Sequence, residues 1–394
     1  MLAGGALIAS GAAGQRHARG HPGLLPTSVL MRETTLATRI DHIDGLRGWA
    51  SLSVLCFHML WETFGSLYPV LRNPFTSFPL DGRLAVYVFF VLSGDALSTP
   101  YFRGGDRRAV TRLAAKRYFR LTIPILMTCL SVYLLMQLSL TPFREAAAVV
   151  HRQEWLGSFL AFEPSLVHAL RFSLVDVYIN ADPTRSYDPF LWTMSIELIG
   201  SMLVFLVLYA WKDLTRPALC VVAAALFLFM LGSLFCLFFA GIAFSHWRAT
   251  GALARFAAAR WQRVATAAGL AAIVASVWVR GLPWGQQMIM GGMACAVVLV
   301  AVCHVHAGAI RFFSNGISRF LGRISFPVYL VQFPVLISVT SLLILHFEPR
   351  LSLGVAIGIG LFSTALVLLL SVGFEALESR LLRATNTQVA RALA

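Results

Sequence analysis

The stretch from Asp44 to Trp61, DGLRGWASLSVLCFHMLW, sets Arg47 and His58 eleven residues apart at the head of a run apolar enough for a bilayer, and Glu62 follows it. Ionisable groups inside a membrane are costly and are usually kept for a partner or a task. At about 100° per residue, eleven steps are roughly three turns plus 20°, so on a helix Arg47 and His58 project from one face, about 16 Å apart in rise. Glu62, four residues on, shares that face within contact distance. The line Arg47–His58–Glu62 thus reads as one wall of a polar channel. In it His58 serves as a base or nucleophile and Glu62 orients its ring. A plainer reading stands beside it: His58 bonds a neighbouring helix, Arg47 is an ordinary edge cation, and Glu62 reaches headgroup water.

Two more acids fall inside apolar runs. Asp95 follows Ser93 and Gly94 in VFFVLSGDALS, and Glu197 lies in LWTMSIELIGS. A carboxylate at the centre of a span costs about 2.5–3.5 kcal/mol on insertion scales, so both are expected to face the bundle interior with partners. The basic block FRGGDRRAVTRLAAKRYFRLTIP brings Arg117 and Arg120, three apart and therefore on one helix face. Arginine forks suit phosphate, which coenzyme A carries; topology and anionic headgroups explain the same charges equally well. The six cysteines (56, 129, 220, 236, 295 and 303) all lie in apolar runs. They have neither metal-ligand nor disulfide spacing and are expected to act as small buried hydrophobes.

These residues need elements to hold them, and composition says which. The 394 residues are 58% hydrophobic and only 13% charged, against roughly 25% charged in a soluble domain, and mean hydropathy is +0.74. Apolar runs of about 20 residues recur along the chain, each long enough for about 30 Å of hydrocarbon. The expected fold is all-α, a polytopic membrane bundle with spans near 48–66, 84–102, 121–140, 189–211, 216–232, 234–247, 264–280, 287–304, 324–346 and 353–373. The split at Gly232 is decided by charge. With ten spans and both termini cytoplasmic, 24 of the 32 Lys and Arg fall inside and 8 outside, as positive-inside bias requires. That distribution, with no aromatic-interleaved basic face, argues against nucleic acid despite the net charge of +14. Residues 1–39 are expected to be a disordered cytoplasmic tail, with Met31 an alternative start, 40–383 the transmembrane domain and 384–394 a second cytoplasmic tail. The single long outer segment, 141–188, carries an amphipathic stretch from His151 to Tyr178, and loops of that length usually have a function.

Taken in order, DGLRG (44–48), the Arg47/His58 pair, FFVLSG (89–94), the Arg-x-x-Arg of RYFRLTIP, LWTMSIE (191–197), GRISFPVYL (322–330) and EALES near the end resemble the acyltransferase-3 family of integral membrane acyltransferases. The resemblance spans about 41–380. It implies a ten-helix bundle in the plasma (inner) membrane that takes an acyl group, expected to be acetyl, from cytoplasmic acyl-CoA. The group goes to a hydroxyl of a surface or secreted glycan, a lipid-linked saccharide or a related acceptor, with no tightly bound cofactor. On this resemblance His58 is the essential histidine, Arg47 its paired arginine, and Arg117 and Arg120 the donor-associated pair. Ser93, Asp95 and Glu197 then belong to the polar interior. Asp95 replaces a usually apolar residue, and Gln332 stands where many members have histidine, so no catalytic role is expected of Gln332. The competing expectation is a transporter or flippase, in which the same polar residues form a pathway without chemistry; the absence of a visible internal repeat counts against it.

Overall fold

Asp81, Asp106 and Asn315 each accept a hydrogen bond from the backbone N–H three residues on, at 2.9, 2.8 and 2.8 Å, and each begins a long helix. Such caps satisfy donors that a helix start leaves open. The computed structural model describes residues 40–73, 80–179, 182–279 and 285–392, without the side chains of 275–279, 285–288 and 384–392. Its long helices are α1 (Asp41–Cys56), α2 (Gly82–Phe102), α3 (Arg107–Gln137), α4 (Thr193–Ala210), α5 (Pro217–Met230), α6 (Phe235–Ala249), α7 (Gln262–Val279), α8 (Gly285–Val305), α9 (Gly316–Val335) and α10 (Leu353–Ala392). Among the described residues there is no strand, and the all-α expectation holds. The 1–39 tail and Met31 lie outside the described residues. The helix α10 continues to Ala392, into the segment 384–394 expected as a cytoplasmic tail.

Ten long helices fall where ten spans are expected, yet the expected number of crossings is not met by length and composition. Only Gly82–Phe102, Arg107–Gln137, Pro189–Ala210, Gly316–Arg350 and Leu353–Arg383 are long and apolar enough among the described residues. A sixth is added if Ile289–Val305 and Ala307–Phe313, bent by 93°, count as one. For α1, α5 and α6 the shortfall has a physical cause. With 14 and 15 residues, α5 and α6 rise about 21 and 23 Å, short of a hydrocarbon core of about 30 Å. The first span is interrupted, because α1 changes to π winding over Phe57–Glu62. The turn between α5 and α6 lies at Gly232, whose φ of 67° is one that glycine adopts without steric cost.

Small residues set how closely the helices approach. A Cβ on Gly48 of α1 would lie 2.4 Å from Gly322 N of α9, and one on Gly322 would lie 2.3 Å from Asp44 O. Ten residues further along each chain, His58 meets Gln332, so the two segments run parallel. Between α2 and α6, a Cβ on Gly241 would lie 2.2 Å from Val91 O, while Thr99 meets Ser245 at 3.3 Å; these helices are also parallel. Likewise α8 runs parallel to α2, with Gly292 against Tyr87 and His304 against Asp95. In contrast α3 and α4 are antiparallel, with Arg107 bonded to Tyr209 O and Arg117 to Ser201.

Two apolar cores flank α1. Ile43, Leu46 and Val54 pack with Val91 of α2, Ile242 of α6 and Met293 of α8. Leu55 and Met59 pack with Ile125 of α3, Phe333 of α9, and Leu156, Phe172 and Tyr187 of the 141–188 segment. That segment is therefore folded onto the bundle. Its expected amphipathic stretch resolves into a short helix, Leu166–Arg171, and a π turn, Phe172–Asp176. The cysteines are free; Cys220, expected to be buried, is exposed on α5, while the others are buried or half-buried.

Candidate active site

His58 sits in the π segment Phe57–Glu62 that continues α1, and its side chain is half-buried. Its Nδ1 lies 3.1 Å from Gln332 Oε1. The amide of Gln332 is itself fixed, because Nε2 donates to Tyr329 O at 3.0 Å. An Oε1 so oriented accepts, so Nδ1 carries the proton and Nε2 keeps the lone pair. One face of the imidazole is covered by Phe190, with centroids 3.8 Å apart and planes 7° apart; Trp155 stacks at 6.2 Å. Phe190 is held from two sides. Asp188 Oδ1 accepts from its N–H at 2.9 Å, and the Tyr329 hydroxyl donates to its carbonyl. The sequence DPFLW thus makes a capped turn whose purpose, seen in three dimensions, is to lay a ring on His58.

Glu62 does not lie against His58. The segment Phe57–Glu62 is wound as a π-helix rather than an α-helix, and the contact expected between Glu62 and His58 is not made. The Thr63 hydroxyl donates to His58 O at 2.6 Å. The Glu62 carboxylate is taken by Arg152 and, at 3.7 Å, by Arg72. The orienting contact expected of Glu62 is supplied by Gln332. One signal for this was legible beforehand, a lone amide in the apolar run VYLVQF; for Phe190 and Trp155 there was none.

At the other end of α1, Arg47 lies 3.3 Å from Asp44 and within electrostatic range of Arg117. Arg117 is engaged: its guanidinium bonds Glu197, and its Nε bonds Ser201 Oγ at 3.0 Å. Arg120 is exposed and faces Glu378 of α10. Arg117 is thus tied to α4 through Glu197, whereas Arg120 is within electrostatic range of Glu378 on α10.

Asp95 belongs to a separate cluster. It is fully buried, and Arg248 grips both its oxygens at 2.9 and 2.5 Å, with His304 Nε2 2.9 Å away. His304 Nδ1 in turn lies 3.2 Å from Nε2 of His42, at the start of α1 and about 24 Å of helix rise from His58. Asp95 is therefore a helix-to-helix tie, and Arg248 and His304 are partners that sequence spacing does not indicate. Ser93 is half-buried beside the close approach at Gly94.

His58 thus has one ring nitrogen anchored and one face covered, its other nitrogen has no hydrogen-bond partner among the described residues, and it is set in a bundle of apolar helices. The acyltransferase domain of the acyltransferase-3 family matches residues 40–374, and the chain belongs to that family. It is a membrane O-acyltransferase. It is similar to the O-acetyltransferase PaAT-1 of Phomopsis amygdali, 25% identical over 386 residues that cover 80% of this chain and 76% of that protein. No solved structure matches the chain.

Proposed function

We propose that this enzyme moves an acetyl group from cytoplasmic acetyl-CoA to a hydroxyl of a surface or secreted glycan or related acceptor, with His58 as the base. The observation that carries this reading is the Gln332 Oε1 contact at Nδ1, which leaves Nε2 as the acceptor of the hydroxyl proton. As Nε2 takes that proton, the acceptor oxygen attacks the thioester carbonyl. The tetrahedral intermediate then collapses with cleavage of the C–S bond, and the imidazolium returns the proton to the coenzyme A sulfur. General base catalysis of this kind contributes about 10²–10⁴-fold. Arg47 and Arg117, within electrostatic range of each other, are the donor phosphate contacts in this reading, with Arg120 at the mouth.

The plasma membrane location and cytoplasmic termini complete the proposal. The parallel pairs α1/α9, α2/α6 and α2/α8 and the antiparallel pair α3/α4 support ten alternating crossings, since helices of the same parity must run the same way. The short α5 and α6 then cross where the bilayer thins or the bundle wraps them.

His58→Ala is expected to abolish transfer from radiolabelled acetyl-CoA while leaving insertion and folding intact. The same label tests the route. Without acceptor, the protein should remain unlabelled if His58 is a base, and should gain a hydroxylamine-sensitive label if the ring is acylated. Near-normal transfer by His58→Ala would remove the central claim.

A further inference from the structure

Eight basic residues fall in the segments assigned to the outer side, all of them arginine: 72, 83, 144, 152, 171, 185, 280 and 350. Three of the eight gather around Glu62. Arg152 bonds its carboxylate, Arg72 approaches to 3.7 Å, and Arg83, in the first turn of α2, acts on it electrostatically. They arrive from three separate parts of the chain, so helix periodicity does not account for the meeting. One carboxylate cannot balance three guanidinium groups. Even if the nearby Asp81, whose carboxylate also caps α2, is counted, three guanidinium groups outnumber two carboxylates, and residues 74–79 contain no charged residue. The cluster therefore carries a surplus of positive charge at the end of the bundle where such charge is scarcest. Ion pairing alone would be met by one arginine.

The surplus is also directed. Arg152 Nε is buried and has no hydrogen-bond partner among the described residues, a condition that costs about 1–3 kcal/mol or more when a buried donor stays unmet. The guanidinium of Arg152 lies 5.2 Å over the ring of Trp155, and Arg72 lies 4.4 Å over Trp61. Trp155 is the ring that stacks on His58 at 6.2 Å. The arginine cluster is thus one aromatic ring away from the reacting group.

We propose that Arg152, Arg72 and Arg83 receive an anionic group of the acceptor, a carboxylate or phosphate on a sugar, and so place a neighbouring hydroxyl at His58. The assignment deepens the acyl-transfer reading and rests on it for the identity of the bound molecule as acceptor. Guanidinium forks bind both anions in bidentate geometry, and the tryptophans flank them as apolar walls suited to a sugar ring. Glu62 holds the arginines in place while the site is empty.

The test uses the full chain in phosphatidylcholine nanodiscs, titrated with methyl glucuronide, glucose 6-phosphate and the neutral methyl glucoside. Binding is read by calorimetry and by tryptophan emission, which reports on Trp61 and Trp155. At least one anionic sugar should bind about tenfold or more tightly than the glucoside, as a charge-assisted hydrogen bond predicts. Arg152→Gln should weaken it about tenfold, whereas Arg152→Lys should recover only part of that loss, keeping the charge but not the bidentate fork. Equal binding of all three sugars, or unchanged affinity in both Arg152→Gln and Arg72→Gln, overturns the proposal. A lipid headgroup is the other source of the same chemistry. If phosphatidylglycerol nanodiscs abolish binding of the anionic sugars, the site belongs to lipid and the assignment to acceptor falls. His58→Ala separates this result from the proposed chemistry: it should bind the anionic sugar like the unaltered protein. Binding without transfer to any acceptor would sink the role given to His58 and leave the anion site standing.

Discussion

The side chain that decides the state of His58 is an uncharged amide. A carboxylate in that place would favour the protonated ring, whereas Gln332 fixes the tautomer without adding charge. Gln332→Leu removes the acceptor at Nδ1 and should lower kcat about tenfold or more, within the range of 10²–10⁴-fold for the whole base effect, with KM for acetyl-CoA little changed. Gln332→Glu should keep the contact but move the acidic limb of the pH–rate profile to higher pH, because the neutral base is then depleted at pH values where it is now present. A profile unmoved by Gln332→Glu would show that the amide only packs. Arg117 presents the opposite case, since its charge is already spent on Glu197 and Ser201. Arg117→Ala leaves Glu197 unpaired in the interior, so it should lower thermal stability as well as raise KM for acetyl-CoA. The exposed Arg120, replaced by alanine, should raise KM with a smaller effect on stability. A thermal scan beside steady-state kinetics distinguishes the two.

At the scale of elements, the site depends on where α1 crosses α9. Gly48 and Gly322 allow backbone contact there, and the equal ten-residue advance along both helices then brings His58 to Gln332. A methyl group at Gly48 would meet backbone atoms that cannot rotate away. Gly48→Ala should therefore cost about 1–3 kcal/mol of stability or more, the usual range for overpacking, and should disable transfer though no reacting group is touched. Gly358→Ala on α10 provides the comparison. A Cβ there meets nothing within 4 Å, so that change should be neutral or slightly stabilising through helix propensity. If both variants behave alike in melting temperature and activity, the crossing does not set the register.

The whole molecule poses the question of topology. The proposed alternation through ten crossings would place 101–120 and 248–263 on the cytoplasmic side and 141–188 outside. A single cysteine at position 255, in a chain with its native cysteines replaced, should resist an impermeant maleimide in intact cells and react after permeabilisation. A cysteine at His151, which is exposed in the structure, should react at once. Labelling of position 255 in intact cells would break the alternation, and with it the assignment of donor and acceptor to opposite faces.

Much was legible in the sequence because bilayers impose simple local rules. Apolar length and arginine placement marked the helices from 82 to 102 and from 353 onward, the break at Gly232 and the helical class, since each depends on neighbours in the chain. His58 and Arg47 stood out because charge in an apolar run is rare and costly. What the sequence could not yield depended on residues brought from far along the chain. Glu62 looked like the partner of His58 from spacing alone, but the folding of the 141–188 segment onto the bundle gave its carboxylate to Arg152, ninety residues away. Gln332 was set aside as a departure from its relatives, yet the parallel contact of α1 with α9 put it on the imidazole. Asp95 was recognised as needing a partner, but that the partners would be Arg248 and His304 followed only from the packing of α2 against α6 and α8. Helix periodicity reaches a few turns, whereas these pairings are set by which helix lies beside which, and that is decided by the close approach of glycines and the sharing of two cores across α1.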